Sequence, residues 1–478
     1  MKRKMKNGDA NPSKKAKKAQ RRSVVIEPIH INPEYLTEKY QLEFRKRFDK
    51  SVKPFPHWQL RNFVENSENA VEKVEDELQN FPDWARKEND LYSLYQTNDL
   101  KSIDPVKYPA IFSFRQFLYA EVKKWLQEVS GVELTEQVDC NGSCYARTDS
   151  LLPHNDLIET RRFAFVFYMT EANWDSEVNG GDLQLFNHDK KTLQPTTVAT
   201  QFAPLRNSLM LFEVSQKSWH RVAEMLSEQP RLSINGWFHS SRRLDPKRPP
   251  IETIERFVPE TKCKLAKLVS REYMTAERQN EVQKIFADSS ELNLDGFLTQ
   301  DIHDEVYSEL SSTPNAFEIV GPVSKRHVAR LKESESLAST RRIIECLKSK
   351  NFARLAAKLT GVTVAGAETS VKVSRVEHGT YWVLGDEDAE QSATDGYCLD
   401  VHVFVQKTAW EDDAGGELIY IEEGETEELL RISPSPNAAS IVFREPGVIS
   451  FLKFANCKST DPFFLFTVSF YNVNVVDD

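Results

Sequence analysis

The run RTDSLLPHNDLIETRRFAFVFYMT, residues 147–170, decides how this chain is read. In its second part Phe163, Phe165, Phe167 and Met169 alternate with Ala164, Val166 and Tyr168, the period of two that marks a strand. In its first part His154 and Asp156 stand at i and i+2, a spacing that places both side chains on one face of extended backbone.

Working outward, the same patterning continues downstream. NGGD at 179–182 reads as a hairpin-type turn into a strand at 183–186. Residues 208–214 form a buried apolar strand. In RLSINGWF, 231–238, Arg231, Ser233, Asn235 and Trp237 share one face, with Leu232, Ile234 and Phe238 on the other. Upstream the period is helical. Leu36, Tyr40, Phe44 and Phe48 follow Pro33, and Val71, Val74, Leu78 and Phe81 precede the stop at Pro82. A third helix begins near Ser113, carries Leu118, Val122, Trp125 and Val129, and is capped by Gly131. The interleaved polar and aromatic run DLYSLYQTNDL, 90–100, reads as a loop. Short strands between turn signals, packed on helices, give a β-sandwich or jelly roll.

SSRRLDPKRPP, 240–250, is charged and Pro-rich, as a linker is, and beyond it the order repeats. A helix through Phe352, Leu355 and Leu359 runs into TGVTV as the earlier one runs into SGVEL; WEDDAGGEL at 410–418 echoes WDSEVNGGDL at 174–183; and FLFTVSFY at 464–471 echoes RLSINGWF. The boundaries that follow are a disordered basic tail at 1–25, a catalytic domain at 26–240, a linker at 241–270 and a non-catalytic second domain at 271–478.

The chain has 478 residues, 40% apolar and 28% charged, with mean hydropathy −0.52, the composition of a globular protein of more than one domain. No apolar run reaches the ~18 residues needed to span a membrane, nor is there a signal-peptide core. Six cysteines in such a chain are read as free thiols, and the lone C-x3-C of Cys140 and Cys144 is not a zinc site. Net charge is −10, but residues 1–22 hold ten Lys or Arg and one acid, leaving about −19 on the rest. The tail reads as a nuclear address, giving a nuclear and cytoplasmic location, or as a solvated polyanion-binding arm. The acidic body argues against nucleic-acid binding by the folded domains and suits a basic protein partner.

His154 and Asp156 need a third ligand to hold a metal, and His220 stands at a later strand end. Two imidazoles and one carboxylate on one face of a metal make the triad of non-haem Fe(II) oxygenases, which leaves room for a bidentate cosubstrate and O2. Arg231, heading its alternating strand with Ser233 on the same face, can grip the distal carboxylate of 2-oxoglutarate, and the Tyr168 hydroxyl can join it. Each residue also has a plain structural reading: a loop His154, a turn Asp156, a core His220, a surface-paired Arg231. Jointly, in this order on a β-rich segment, the chemical reading is the stronger. His188, in the polar NHDKK run, reads as an exposed loop residue outside the set. The repeat offers an internal test: Leu384 falls opposite His154, a position near Leu452 opposite His220, and Phe464 opposite Arg231. Apolar residues there imply that the second domain binds neither iron nor 2-oxoglutarate.

The run at 147–170, the GGDLQLF hairpin, SLMLFEVSQKSWHRVAEML and RLSINGWFH resemble the ribosomal prolyl 3-hydroxylases, as do DLYSLYQTNDL, HGTYWVLGD, GGELIYI and IVFRE. The resemblance runs from about residue 35 to the end. It implies an α+β fold of two tandem double-stranded β-helix (jelly-roll) domains with supporting helices, only the first catalytic. It implies Fe(II) on His154, Asp156 and His220, and 2-oxoglutarate on Arg231 and Tyr168, with Tyr145 in the same pocket. The expected cofactors are Fe(II), 2-oxoglutarate, O2 and ascorbate (vitamin C). The expected substrate is a proline of a small-subunit ribosomal protein, with effects on translation accuracy and translation termination factors as further partners. Two rivals stand beside it: the same oxygenase chemistry on another substrate, and a binding protein acting in translation or messenger stability with secondary catalysis.

Overall fold

The computed structural model describes residues 27–48, 52–66, 69–249, 252–332 and 337–475; the basic tail lies outside the described residues. Eleven strands build the first sheet: β1 (His57–Arg61), β2 (Trp84–Glu88), β3 (Tyr92–Thr97), β4 (Val138–Tyr145), β5 (Ser150–His154), β6 (Arg161–Tyr168), β7 (Leu183–His188), β8 (Pro195–Phe202), β9 (Ser208–Glu213), β10 (His220–Val222) and β11 (Arg231–His239). Their order is β1-β9-β6-β11-β4-β3-β5-β10-β7-β8, with β2 beside β3, and every pairing is antiparallel. The sheet curls on itself. Leu183 and Leu185 of β7 share an apolar cluster with Ala164 of β6 and Phe212 of β9, strands far from β7 in the order.

The alternation in β6 has two faces because both are covered. Phe163, Phe165 and Phe167 pack under helices α1 (Glu38–Arg47), α2 (Ala70–Gln79), α3 (Pro109–Phe117) and α4 (Lys123–Ser130), while Ala164 and Tyr168 turn into the curl. Burying apolar side chains this way stabilises by roughly 1.5–3 kcal/mol each. The expected helices are present with revised limits. The first opens as a 3-10 turn, Pro33–Leu36, and Thr37 caps α1. The third begins at Pro109 rather than Ser113, passes through a π turn at Leu118–Val122 and ends at Gly131, whose φ of 69° suits glycine.

Three expectations need correction. The 90–100 run is no simple loop: its middle is β3, which joins β4 through Tyr95↔Cys144 and β5 through Tyr92↔Leu151. NGGD does not close a hairpin, because β6 and β7 are not paired; it carries the chain across the curl, and β7 lies between β10 and β8. His188 ends β7 half-buried rather than sitting in an exposed loop.

The second sheet uses β12 (Glu291–Leu294), β13 (Phe317–Val320), β14 (Arg326–Leu331), β16 (Glu368–Val376), β17 (Tyr381–Trp382), β18 (Cys398–Val405), β19 (Leu418–Glu422), β20 (Glu428–Ile432), β21 (Ala439–Arg444), β22 (Val448–Leu452) and β23 (Phe463–Tyr471), while β15 (Val362–Thr363) pairs with β24 (Asn474–Val475). Its order, β12-β21-β18-β23-β16-β14-β17-β22-β19-β20 with β13 beside β14, matches the first sheet strand for strand. The linker is held to the second half at two points: Phe257 bridges to Thr369 of β16, and Thr261 O accepts from Lys350 N, at the start of the helix Lys350–Thr360, at 3.0 Å. The two halves meet around β5. Leu152 packs with Leu91, Tyr381, Val383 and Phe454, and buried Glu224 accepts from Cys457 N at 2.7 Å and bonds His378 Nε2 at 2.6 Å. All six cysteines are free.

Candidate active site

Antiparallel pairing of β5 with β10 sets His154 directly opposite His220, with ring centroids 4.2 Å apart. Asp156, two residues past His154, adopts φ 59°, a left-handed conformation that Asp tolerates and that brings its carboxylate back to both rings. Asp156 Oδ1 lies 3.3 Å from His154 Nε2, and Oδ2 lies 3.4 Å from His220 Nε2. One ligand atom from each residue falls within 4.8 Å of the others.

Both imidazoles are committed through Nδ1, His154 to Leu152 O at 2.9 Å and His220 to Ser218 O at 2.7 Å. A carbonyl only accepts, so Nδ1 carries the proton and the Nε2 lone pairs face the carboxylate. Burial, together with the nearby His154, pulls the His220 pKa down to about 4, which keeps the ring neutral, the form a metal needs. Burial works to raise the Asp156 carboxyl, but His220, His154 and Arg161 outweigh it and hold the group well below the usual carboxylate range. Two imidazoles with free Nε2 lone pairs and an ionised carboxylate are a donor set that fits Fe(II).

The triad opens on a cavity of about 260 Å³ enclosed by the curl. Arg231 stands on its wall and is 1% exposed. Its Nε donates to Gly181 O at 2.7 Å and its Nη2 to the Tyr168 hydroxyl at 3.3 Å, while the guanidinium lies 5.0 Å from the Tyr145 ring centroid. Tyr145 is the cross-strand partner of Arg231, and Ser233 of Tyr168. Tyr145 and Ser233 line the cavity, whereas Tyr168 sits behind Arg231, fully buried. The triad, Arg231, Tyr145 and Ser233 are therefore gathered around one space, and Tyr168 bears on it through its hydrogen bond to Arg231.

Residues 140–239 match the 2OG-Fe(II) oxygenase superfamily, and residues 260–478 match the family described as oxoglutarate and iron-dependent oxygenase degradation C-term. Prolyl 3-hydroxylase OGFOD1 of Xenopus laevis is 31% identical over 443 residues, covering 85% of this chain and 84% of its own length. The chain belongs to the prolyl 3-hydroxylase OGFOD1 family. The Mus musculus OGFOD1 enzyme is 28% identical over 475 residues, covering 85% of this chain and 86% of its own length. Prolyl 3-hydroxylase sudestada1 of Drosophila melanogaster is 26% identical over 415 residues, covering 78% and 75%. The family's chemistry uses Fe(II), 2-oxoglutarate and O2, and the His154–Asp156–His220 group lies within the oxygenase segment.

Three contributions around the site escaped the sequence reading. Trp237 Nε1 donates to Asp156 Oδ2 at 3.0 Å. Its place on the Arg231 face was legible, its target was not. Arg161 stacks 3.4 Å over the Trp237 ring and approaches Asp156 Oδ1 to 4.0 Å. Gly181, φ 73°, lies so close that a Cβ would meet Met225 Sδ at 2.6 Å and Arg231 Cδ at 3.0 Å.

The matching strand order gives the second half a firmer register. Trp382 pairs with Leu452 where Leu151 pairs with Val222, and Ser450 stands opposite Tyr420 where His220 stands opposite Leu185. β11 and β23 each hold nine residues, which sets Phe463 at the place of Arg231; accordingly a Cβ on Gly416 would meet Trp410 and Phe463, as one on Gly181 would meet Trp174 and Arg231. The counterparts of His220 and Arg231 are thus Ser450 and Phe463, in place of Leu452 and Phe464. Neither is an imidazole or a cation.

Proposed function

We propose that this chain is an Fe(II)- and 2-oxoglutarate-dependent prolyl 3-hydroxylase acting on a proline of a small-subunit ribosomal protein. The observation that carries the reading is the convergence of His154, Asp156 and His220 on the cavity that also holds Arg231. His154 and His220, through Nε2, and the Asp156 carboxylate would hold Fe(II). Arg231, fixed at Nε by the Gly181 carbonyl, keeps its terminal N–H groups for the distal carboxylate of 2-oxoglutarate, with Tyr168, Tyr145 and Ser233 completing the pocket. Bound Fe(II) supplies the oxidative chemistry in which 2-oxoglutarate becomes succinate and CO2 and one oxygen atom passes to the substrate carbon. Phe212, Val222 and Leu183 give the cavity apolar walls that limit water near the reacting atoms.

Proline as the target is supported by the family's named activity, and a basic ribosomal protein by charge: the chain carries −10 overall. Ascorbate is the reductant expected to keep the iron in its active state. The basic 1–25 segment supports nuclear as well as cytoplasmic residence, and translation termination factors are further partners of the same reading. The test is succinate release by the purified chain with Fe(II), 2-oxoglutarate, ascorbate and a proline-containing peptide of the decoding-centre ribosomal protein, beside Arg231→Ala. Turnover that needs peptide and Arg231, with one oxygen added to proline, is the expected result. Peptide-independent turnover would move the activity to another substrate, and no turnover with metal bound would refute the assignment.

A further inference from the structure

The second sheet encloses a cavity of about 220 Å³ in the same place as the first. Arg231↔Tyr145 and Phe463↔Val376 align β4 with β16, so Ser374 stands where Ser143 does and Lys372 where Asn141 does. Gln96↔Ser143 and Arg330↔Ser374 then place Arg330 at the position of Gln96 and Arg326 at that of Tyr92. Three neutral side chains of the first half are cations in the second. A merely degenerate copy of an oxygenase pocket would be expected to close or turn apolar, since buried cations are costly without partners. This one is open and charged.

The charges divide into two zones. In one, Arg444 lies 2.9 Å from Asp400 and 3.9 Å from Asp395, and Lys325 pairs with Glu387 at 3.0 Å and with Asp388. Arg256 adds a 2.5 Å contact to Asp395, so three cations here meet four carboxylates and none of the three lacks a partner. In the other, Arg326, Arg330 and Lys372 share a single carboxylate, Glu252, at 3.0, 3.4 and 3.8 Å. Among the described residues, three cations there contact one carboxylate. The Arg330 Nε–H is buried and has no partner among the described residues. Burial and the neighbouring arginines pull the Lys372 amine down to about 8, with only Glu252 and Asp400 opposing them. Glu252 belongs to the segment joining the two halves and to no strand of the sheet it enters.

We propose that the second cavity is a binding site for a small dianion, a phosphate or a short dicarboxylate, held by Arg326, Arg330 and Lys372, and that Glu252 is the tethered carboxylate such an anion displaces. The site needs no metal and does not depend on the function proposed above. Three cations around one displaceable carboxylate favour a dianion over a monoanion, and planar guanidinium groups pair with phosphate and carboxylate oxygens alike. Glu252 weakens the site by competing from within the chain, so its removal strengthens binding.

Calorimetric titration of the full chain tests this with two probes, inorganic phosphate and succinate. Succinate is titrated in an Arg231→Gln background so that the first cavity does not take it up. Glu252→Gln is expected to tighten binding of the preferred probe on the order of tenfold, the value of one charge-assisted contact. Arg330→Gln and Lys372→Asn, which restore the side chains of the first half, are expected to abolish binding, and Lys372→Arg to retain it. Ligand-induced rise in melting temperature, present in Glu252→Gln and Lys372→Arg and absent in the two neutralised variants, separates loss of the site from loss of folding. No binding of either probe by Glu252→Gln, or binding unchanged in Arg330→Gln and Lys372→Asn, would overturn the proposal.

Discussion

Trp237→Phe isolates the least visible part of the candidate metal centre. The indole Nε1–H donates to Asp156 Oδ2 at 3.0 Å, and Asp156 is 9% exposed, so no bulk water replaces the lost donor freely. A hydrogen bond to a charged acceptor contributes roughly 1.5–3 kcal/mol. Outer partners of metal ligands typically control affinity by about 10–100-fold, or about 1.4–2.7 kcal/mol, the same range. Phenylalanine keeps a ring under Arg161, so the cation–π contact weakens but stays, and the change is close to a single-bond deletion. Titrating Mn(II) into metal-free protein by calorimetry at neutral pH should show a Kd raised about 10–100-fold in the variant. The affinity of the Mn(II)-saturated protein for 2-oxoglutarate should change little, because Arg231 and its partners are untouched. Metal affinity within twofold of the parent would show that Trp237 does not position Asp156.

Gly181→Ala forces a Cβ against Met225 and Arg231 at a positive φ; a stability loss of about 1–3 kcal/mol and a raised KM for 2-oxoglutarate are expected, and an unchanged KM would contradict the placement of Arg231. Glu224 raises the His378 pKa across the junction through its hydrogen bond, so the charged contact is complete below the unfolded value near 6.5 and is lost as pH rises through the folded value. NMR titration of Glu224→Gln should find His378 returned toward its ordinary range, and no change would remove Glu224 as the cause. His220 and His402 are buried and drawn down to about 4, so in metal-free protein the unfolded chain binds protons between about pH 6.5 and 4 that the folded chain refuses. Urea unfolding should therefore show stability falling as pH drops through that window, by up to roughly 3 kcal/mol per histidine, and His402→Asn should flatten the slope; a flat profile for the parent would oppose this.

Much of this was legible in the sequence where periodicity is strong. β6 and β11 declared themselves because their alternating residues serve two distinct apolar surroundings, and the i, i+2 spacing of His154 and Asp156 found the triad. β3 was missed because Ser93 and Gln96 lie at its joint with β4 and β5, polar at positions that read as loop. β8 was missed because most of its residues are exposed. The register of the repeat slipped at β22 and β23 because β23 is apolar and buried on both faces, so no alternation marks which residue stands first. The Trp237 contact was out of reach because it depends on the left-handed turn at Asp156, a backbone feature no period reveals.

Crystals grown with Mn(II) and 2-oxoglutarate test the central claim most directly. The account predicts one strong anomalous peak among His154 Nε2, His220 Nε2 and the Asp156 carboxylate, with the distal carboxylate of 2-oxoglutarate on Arg231. A metal bound away from that triad, or a cosubstrate carboxylate that ignores Arg231, would contradict it.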